Sequence, residues 1–159
     1  MYEVNTNDFT ITNVSYYITL MVLQSMKVMV CGSIGYGGIE EIRKFYDDIH
    51  NAGFDILDHV EGKDMDYSDI KDFRNKRTLS KEIVDHDLNY VTKADVLVVI
   101  MNKPSYGTAI EMAKAKEAGK TIILYSPEPI PTPWPIHFSD HVVSNYPEMI
   151  EILTDLKKS

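Results

Sequence analysis

The stretch ADVLVVIMNKPSYGTAIEMAKAKEAGKTIIL, Ala94 to Leu124, decides the fold. Ala94 to Met101 is an apolar run rich in Val and Ile, the pattern of a strand buried on both faces of a parallel sheet. Pro104, Ser105 and Gly107 break that run and open a helix through Ala118; Gly119 stops it before the next strand, Thr121 to Leu124. Strand, helix and strand make a βαβ unit. In such sheets ligands collect at the strand's carboxyl end, over the N-terminus of the following helix. Ser105, Gly107 and Glu111 fall at that place.

The pattern repeats upstream. Lys27 to Cys31 reads as a short buried strand, followed by Gly32-Ser33-Ile34-Gly35-Tyr36-Gly37-Gly38 and a helix from about Ile39 to Asn51. Glycines let backbone N–H groups approach an anion, and a helix N-terminus adds partial positive charge, so the loop is a phosphate-binding candidate. It is not a P-loop, because no Gly-Lys-Ser/Thr follows, and it lacks the G-x-G-x-x-G dinucleotide spacing. Asp58, at the end of a second strand over Phe54 to Leu57, keeps a nicotinamide reading in play. A glycine turn that serves only strand–helix packing is the third reading.

Two acids stand out. In a helix over Leu79 to Val91, Asp87 lies four residues from both Ile83 and Val91, on the apolar face, where an unpaired charge is costly. Glu111 sits above Ala115 and Ala118 on the next helix, small residues that let it lie close to the sheet. Paired carboxylates in different environments suit glycosidic-bond cleavage, one ionised and one protonated. Structural pairing of Asp87 and a dipole role for Glu111 are the plainer alternatives.

The remaining segments are less regular. Glu61 to Arg77 is densely charged and reads as a mobile, solvated segment with one helical turn, either a plain surface loop or a lid. Pro127, Pro129, Pro131, Pro133 and Pro135 predict an extended run carrying Trp134, not a helix. His141 to Ser144 is a last short strand, and Pro147 starts a final helix ending near Leu156 to Lys158. Cys31 points into the sheet by alternation and reads as core.

The 159 residues, 44% hydrophobic, suffice for one domain without staples. A net charge of -8 and a pI near 5.0 argue against nucleic-acid polymers or anionic membranes as partners, while a single small anion stays admissible. One cysteine excludes an internal disulfide framework and fits a reducing, cytoplasmic location. No apolar stretch approaches the roughly 18 residues of a spanning helix. Residues 1–25 hold no Lys or Arg and so lack the basic region of a secretory signal. Met26 opens the natural first strand, so residues 1–25 are expected to be an extension from an overextended start, and 26–159 a single catalytic domain. The scattered histidines, His59, His86, His137 and His141, do not pattern as a metal site, and neither metal nor cofactor is expected.

The motifs CGSI with Gly37-Gly38, His59-Val60, HDL at 86–88, ADVLVV, PSYGTAIE and SDHVVSNY resemble, in order from Met26 to about Leu153, the nucleoside 2-deoxyribosyltransferase superfamily. Within it the chain most resembles the 2'-deoxynucleoside 5'-monophosphate N-hydrolases. The resemblance implies an α/β, Rossmann-like (flavodoxin-like) three-layer sandwich with a central, mostly parallel five-stranded sheet. It implies Glu111 as nucleophile at C1' of the sugar, and Asp87 as its partner in hydrogen bonding and proton transfer. Gly32, Ser33, Ile34, Gly35, Gly37, Gly38, His59, Ser105 and Gly107 would line the substrate site. Ser33 and Ser105 would hold the 5'-phosphate, and Ser139 would come from the neighbouring subunit of a homodimer.

Two positions depart from the family pattern. Met29 stands where an aromatic residue, often Tyr, precedes the cysteine, which bears on sugar discrimination. Gly35 and Tyr36 stand where an Arg follows CGSI, leaving phosphate charge to dipoles, His59 or the basic end of the 61–77 segment. Other readings are a base-exchanging deoxyribosyltransferase, a ribonucleotide N-glycosidase, whose GT-x-x-E motif YGTAIE echoes, and a non-catalytic nucleotide-binding module.

Overall fold

The computed structural model describes residues 25–61, 65–101 and 103–159; the extension expected at the N-terminus lies outside the described residues, up to residue 24. Five strands, β1 (Lys27–Cys31), β2 (Asp55–Ile56), β3 (Val96–Ile100), β4 (Thr121–Tyr125) and β5 (His141–Val143), form one sheet in the order β2-β1-β3-β4-β5. Among the described residues every pairing is parallel, in line with the expected mostly parallel sheet. The helices are α1 (Ile39–Asn51), α2 (Arg77–Lys93), α3 (Tyr106–Glu117), α4 (Pro133–Phe138) and α5 (Tyr146–Lys158).

Alternation along the strands divides the core into two layers. Val28, Val30, Val96, Val98, Ile100 and Ile123 face α1 and α5, meeting Phe45, Tyr46, Ile49, Met149 and Leu153. Met29, Cys31, Leu97, Val99, Ile122 and Leu124 face α2 and α3, meeting Val91, Met112 and Ala115. Met29 is fully buried. β2 is shorter than the expected Phe54–Leu57 because Phe54 turns into the core and the Leu57 carbonyl is taken by the Tyr46 hydroxyl at 2.7 Å.

The proline run corrects the sequence reading. Pro133 to Phe138 is a short helix rather than an extended strand. Pro133 and Pro135 occupy its first turn, where N–H groups have no intrahelical partner, so their missing donors cost nothing. Pro135 packs inward while Trp134 stays 70% exposed.

From β1 the chain runs outward to β2, then crosses back to β3 on the other side, which makes the β1/β3 boundary the topological switch point. The register Cys31↔Val99 sets the carboxyl ends of both strands side by side. A crevice there is flanked by the loops entering α1 and α3.

Candidate active site

The first wall is the glycine loop. Beyond Cys31 the chain makes a wide helical turn over Ile34–Gly38, with the Gly38 amide donating to the Ser33 carbonyl at 2.8 Å. Gly37 has φ +88°, a conformation only glycine adopts cheaply. A Cβ on Gly32 would press on Ile42 at 3.2 Å, so glycine there lets α1 approach the sheet. The Ser33 hydroxyl is buried and has no hydrogen-bond partner among the described residues. An orphaned buried hydroxyl is costly, and a ligand oxygen would satisfy it.

The second wall is the entry to α3. Ser105 caps this helix, its Oγ accepting from the Thr108 amide at 3.4 Å, and Gly107 follows in the first turn. Lys103 ties this loop to the first, its Nζ donating to the Tyr36 carbonyl at 2.6 Å. Tyr36, Lys103, Pro104, Ser105, Tyr106 and Ala109 line a cavity of about 560 Å³ between the two loops.

One turn further along α3, Glu111 is buried under the cleft. The Cys31 thiol donates to its carboxyl. Burial, then the neighbouring Asp87 charge, push the Glu111 carboxyl up to about 8, against the opposing Cys31 hydrogen bond. Cys31 itself is raised far above the usual thiol range, first by burial and then by Glu111, which keeps it a protonated donor and fits the core reading. Asp87, half-buried on α2, is pushed up to about 6 by burial, with His86 opposing. The Asp87 charge thus bears on Glu111, and burial raises both carboxyls. The two acids therefore behave as a coupled pair that shares a proton rather than as one fixed acid and one fixed base.

His59 lies behind β2, and Asp58 accepts from the Val60 amide at 2.9 Å, a local turn bond that occupies the acid a ribose-binding role would need. The Tyr46 hydroxyl accepts from the Val30 amide at 3.0 Å and donates to the Leu57 carbonyl, so the His59 Nδ1 at 2.9 Å must be its donor. The ring is then neutral with Nε2 as its acceptor edge, and burial followed by His86 lowers it to about 4. His59 is thus no cation for a phosphate, contrary to one of the sequence options. His86 donates from Nε2 to the His59 carbonyl at 2.9 Å, a local bond rather than metal ligation.

Tyr67 is the residue that sequence reasoning missed. It belongs to the charged segment expected to be solvated, yet its ring is half-buried against the core, stacks edge-on with Phe73 at 5.9 Å, and sits 3.7 Å from where a Gly35 Cβ would be. Burial, then the fields of Asp87 and Glu111, drive its hydroxyl well above the usual phenol range. Arg43 on α1 holds the segment through Asp66 at 3.1 Å, and Asp66 also accepts from the Ser68 amide and hydroxyl. A Cβ on Gly35 would be in ordinary contact with this ring. An aromatic flanked by charges gave no periodic signal.

Ser139 is not brought to the cleft of its own chain. It ends α4, its amide bonded to the Pro135 carbonyl, and the next residue, Asp140, pairs with Lys116 at the far end of α3 and accepts from the Ile122 amide where β4 begins. The 12 residues of α3 put that end about 18 Å from the Ser105 cap.

No protein-family model and no curated protein matches the sequence. Solved structures do. The 2-deoxyribosyltransferase of the psychrotolerant Bacillus psychrosaccharolyticus superposes with a TM-score of 0.58 at 16% identity, over 78% of this chain and 90% of that one. A conserved protein from Enterococcus faecalis V583 gives 0.59 at 12% identity, over 82% and 98%. The CMP N-glycosidase BcmB of Clostridium botulinum gives 0.48 at 16%, over 80% and 97%. At these identities the first two likenesses establish a shared fold: this chain adopts the five-stranded parallel α/β architecture of a 2-deoxyribosyltransferase.

Proposed function

We propose that this chain hydrolyses the N-glycosidic bond of 2'-deoxynucleoside 5'-monophosphates, giving free base and 2-deoxyribose 5-phosphate. The observation that supports this is the pair of carboxylates on different helices, Glu111 and Asp87, both raised by burial and with the Asp87 charge bearing on Glu111. Sharing a fold with a 2-deoxyribosyltransferase supports glycosyl chemistry as the class.

In the proposed sequence the Glu111 carboxylate attacks C1', the C1'–N bond breaks with its electron pair passing to the base, and Asp87 supplies the proton the departing base needs. Substrate must therefore draw the shared proton from Glu111 to Asp87. Positive charge developing at the anomeric carbon favours that transfer, because it stabilises an ionised Glu111 beside it. Water then attacks C1' of the glycosyl-Glu111 ester, Asp87 takes up a proton from that water, the C1'–O bond breaks with its electron pair returning to the Glu111 carboxylate, and 2-deoxyribose 5-phosphate leaves. Splitting one displacement into two lowers each barrier. Ser33, with its unmatched hydroxyl, and Ser105 at the α3 cap are the proposed phosphate contacts.

A screen of deoxy- and ribonucleotides, with and without 5'-phosphate, by chromatography for free base tests this directly. Deoxynucleoside monophosphates are expected to release base, and Glu111→Gln to lower that release by at least about a thousandfold. A Glu111→Gln enzyme turning over like its parent removes the nucleophile. Transfer is the second reading, favoured by the shared fold with a transferase. It predicts exchanged nucleoside when a deoxynucleoside is incubated with a foreign base.

A further inference from the structure

We propose that Lys103 is the cation that reads the substrate's 5'-phosphate, taking the place of the arginine missing after CGSI. The inference rests on the nucleotide reading above and adds to it the residue that makes phosphate count. A dianion entering this crevice meets two acids in a chain of net charge -8, so helix dipoles alone leave it poorly compensated. Among the described residues, three other candidates are engaged or uncharged. His59 is a neutral ring behind Tyr46. Arg43 is held by Glu40 and Asp66, and Arg74 by Asp72.

Lys103 differs in kind. Its ammonium reaches across 67 residues of sequence to a backbone carbonyl, that of Tyr36, instead of a carboxylate. It lies 3.9 Å from the position of a Gly37 Cβ, in ordinary contact with the glycine loop. It shares its cavity with Ser105, and the loop it touches carries the buried, unmatched Ser33 hydroxyl. The two loops are thereby joined by a movable hydrogen bond. An anion oxygen arriving between Ser33 and Ser105 competes with the Tyr36 carbonyl for the same ammonium, and a charged acceptor gives the stronger bond. The ammonium then needs only a rotation of its flexible stem.

The test compares kcat/KM for a deoxynucleoside 5'-monophosphate and for the matching nucleoside, in the parent, Lys103→Met and Lys103→Arg. Lys103→Met is expected to lower the phosphate preference, the ratio of the two values, about 10- to 100-fold, and Lys103→Arg to restore most of it. Melting temperatures near the parent's show that each variant folds. A parent that prefers the monophosphate and a Lys103→Met variant with the same preference overturn the role of Lys103 while leaving the glycosidase intact. Titration of inorganic phosphate into parent and Lys103→Met by calorimetry decides independently of turnover. Weaker phosphate binding in the variant supports the assignment even if no base is released, and equal binding refutes it.

Discussion

A carboxylate that loses its water must find a counter-charge or keep its proton, and Glu111 faces a thiol and a second acid rather than a cation. Between about 6 and about 8 the Asp87–Glu111 pair therefore holds one proton. Below that window both acids are protonated and the nucleophile is lost; above it both are ionised and no proton remains for the base. The pH profile of kcat/KM is accordingly expected to be bell-shaped with limbs near those two values, and a flat profile from pH 5 to 9 would contradict the shared-proton account. Stability carries the same signature. The folded value of Glu111 lies above its ordinary 4.5, so the stability this group contributes is fully present below 4.5 and is lost as pH rises through about 8. Glu111→Gln removes the charge but keeps the shape. It should melt with the parent in acid and above it, on the order of 5 °C, at alkaline pH, as calorimetric scans across that range would read.

The segment holding Tyr67 shows how one element sets the chemistry of two others. Desolvation is the largest cause of both raised carboxyls, and the Tyr67 ring, anchored through Asp66 and Arg43, is part of what excludes water. Tyr67→Ala should open that side and move the alkaline limb of the profile down by about one pH unit, while Tyr67→Phe, which keeps the ring, should leave the limb in place. If both variants shift it equally, the hydroxyl and not the ring is responsible. Here also lies the boundary of what the sequence made legible. The β3–α3 unit, the glycine loop and the inward positions of Asp87 and Glu111 follow from local periodicity, which acts over a few residues. Tyr67, the Cys31–Glu111 bond and the Lys103–Tyr36 bridge join positions far apart in the chain, and no local pattern encodes them. Helix α4 was obscured for another reason: five prolines in alternation suggest extension, and only a first-turn placement makes two of them compatible with a helix.

At the scale of the molecule, α3 and α4 present an apolar face that the single chain leaves open. Trp134, Tyr106, Ile110 and Ile136 are all substantially exposed beside a groove of about 580 Å³ lined by Met112, Pro135 and Phe138. Contiguous apolar exposure of this kind marks an interaction surface more often than a solvated one. Ser139 adjoins that surface, at the end of α4, and the pairing of its neighbour Asp140 with Lys116 ties it to the end of α3 away from the Ser105 cap. A second copy packed across α3 and α4 would explain both facts, covering the apolar residues and carrying Ser139 toward the neighbouring crevice. Trp134→Asp places a charge on the face without touching the core, since this side chain is 70% exposed. The variant is expected to sediment as a monomer, to keep its melting transition, and to lose base-releasing activity together with Ser139→Ala. A parent chain that sediments as a monomer and stays fully active on dilution would show that the cleft is complete within one chain, and that Ser139 has no part in it.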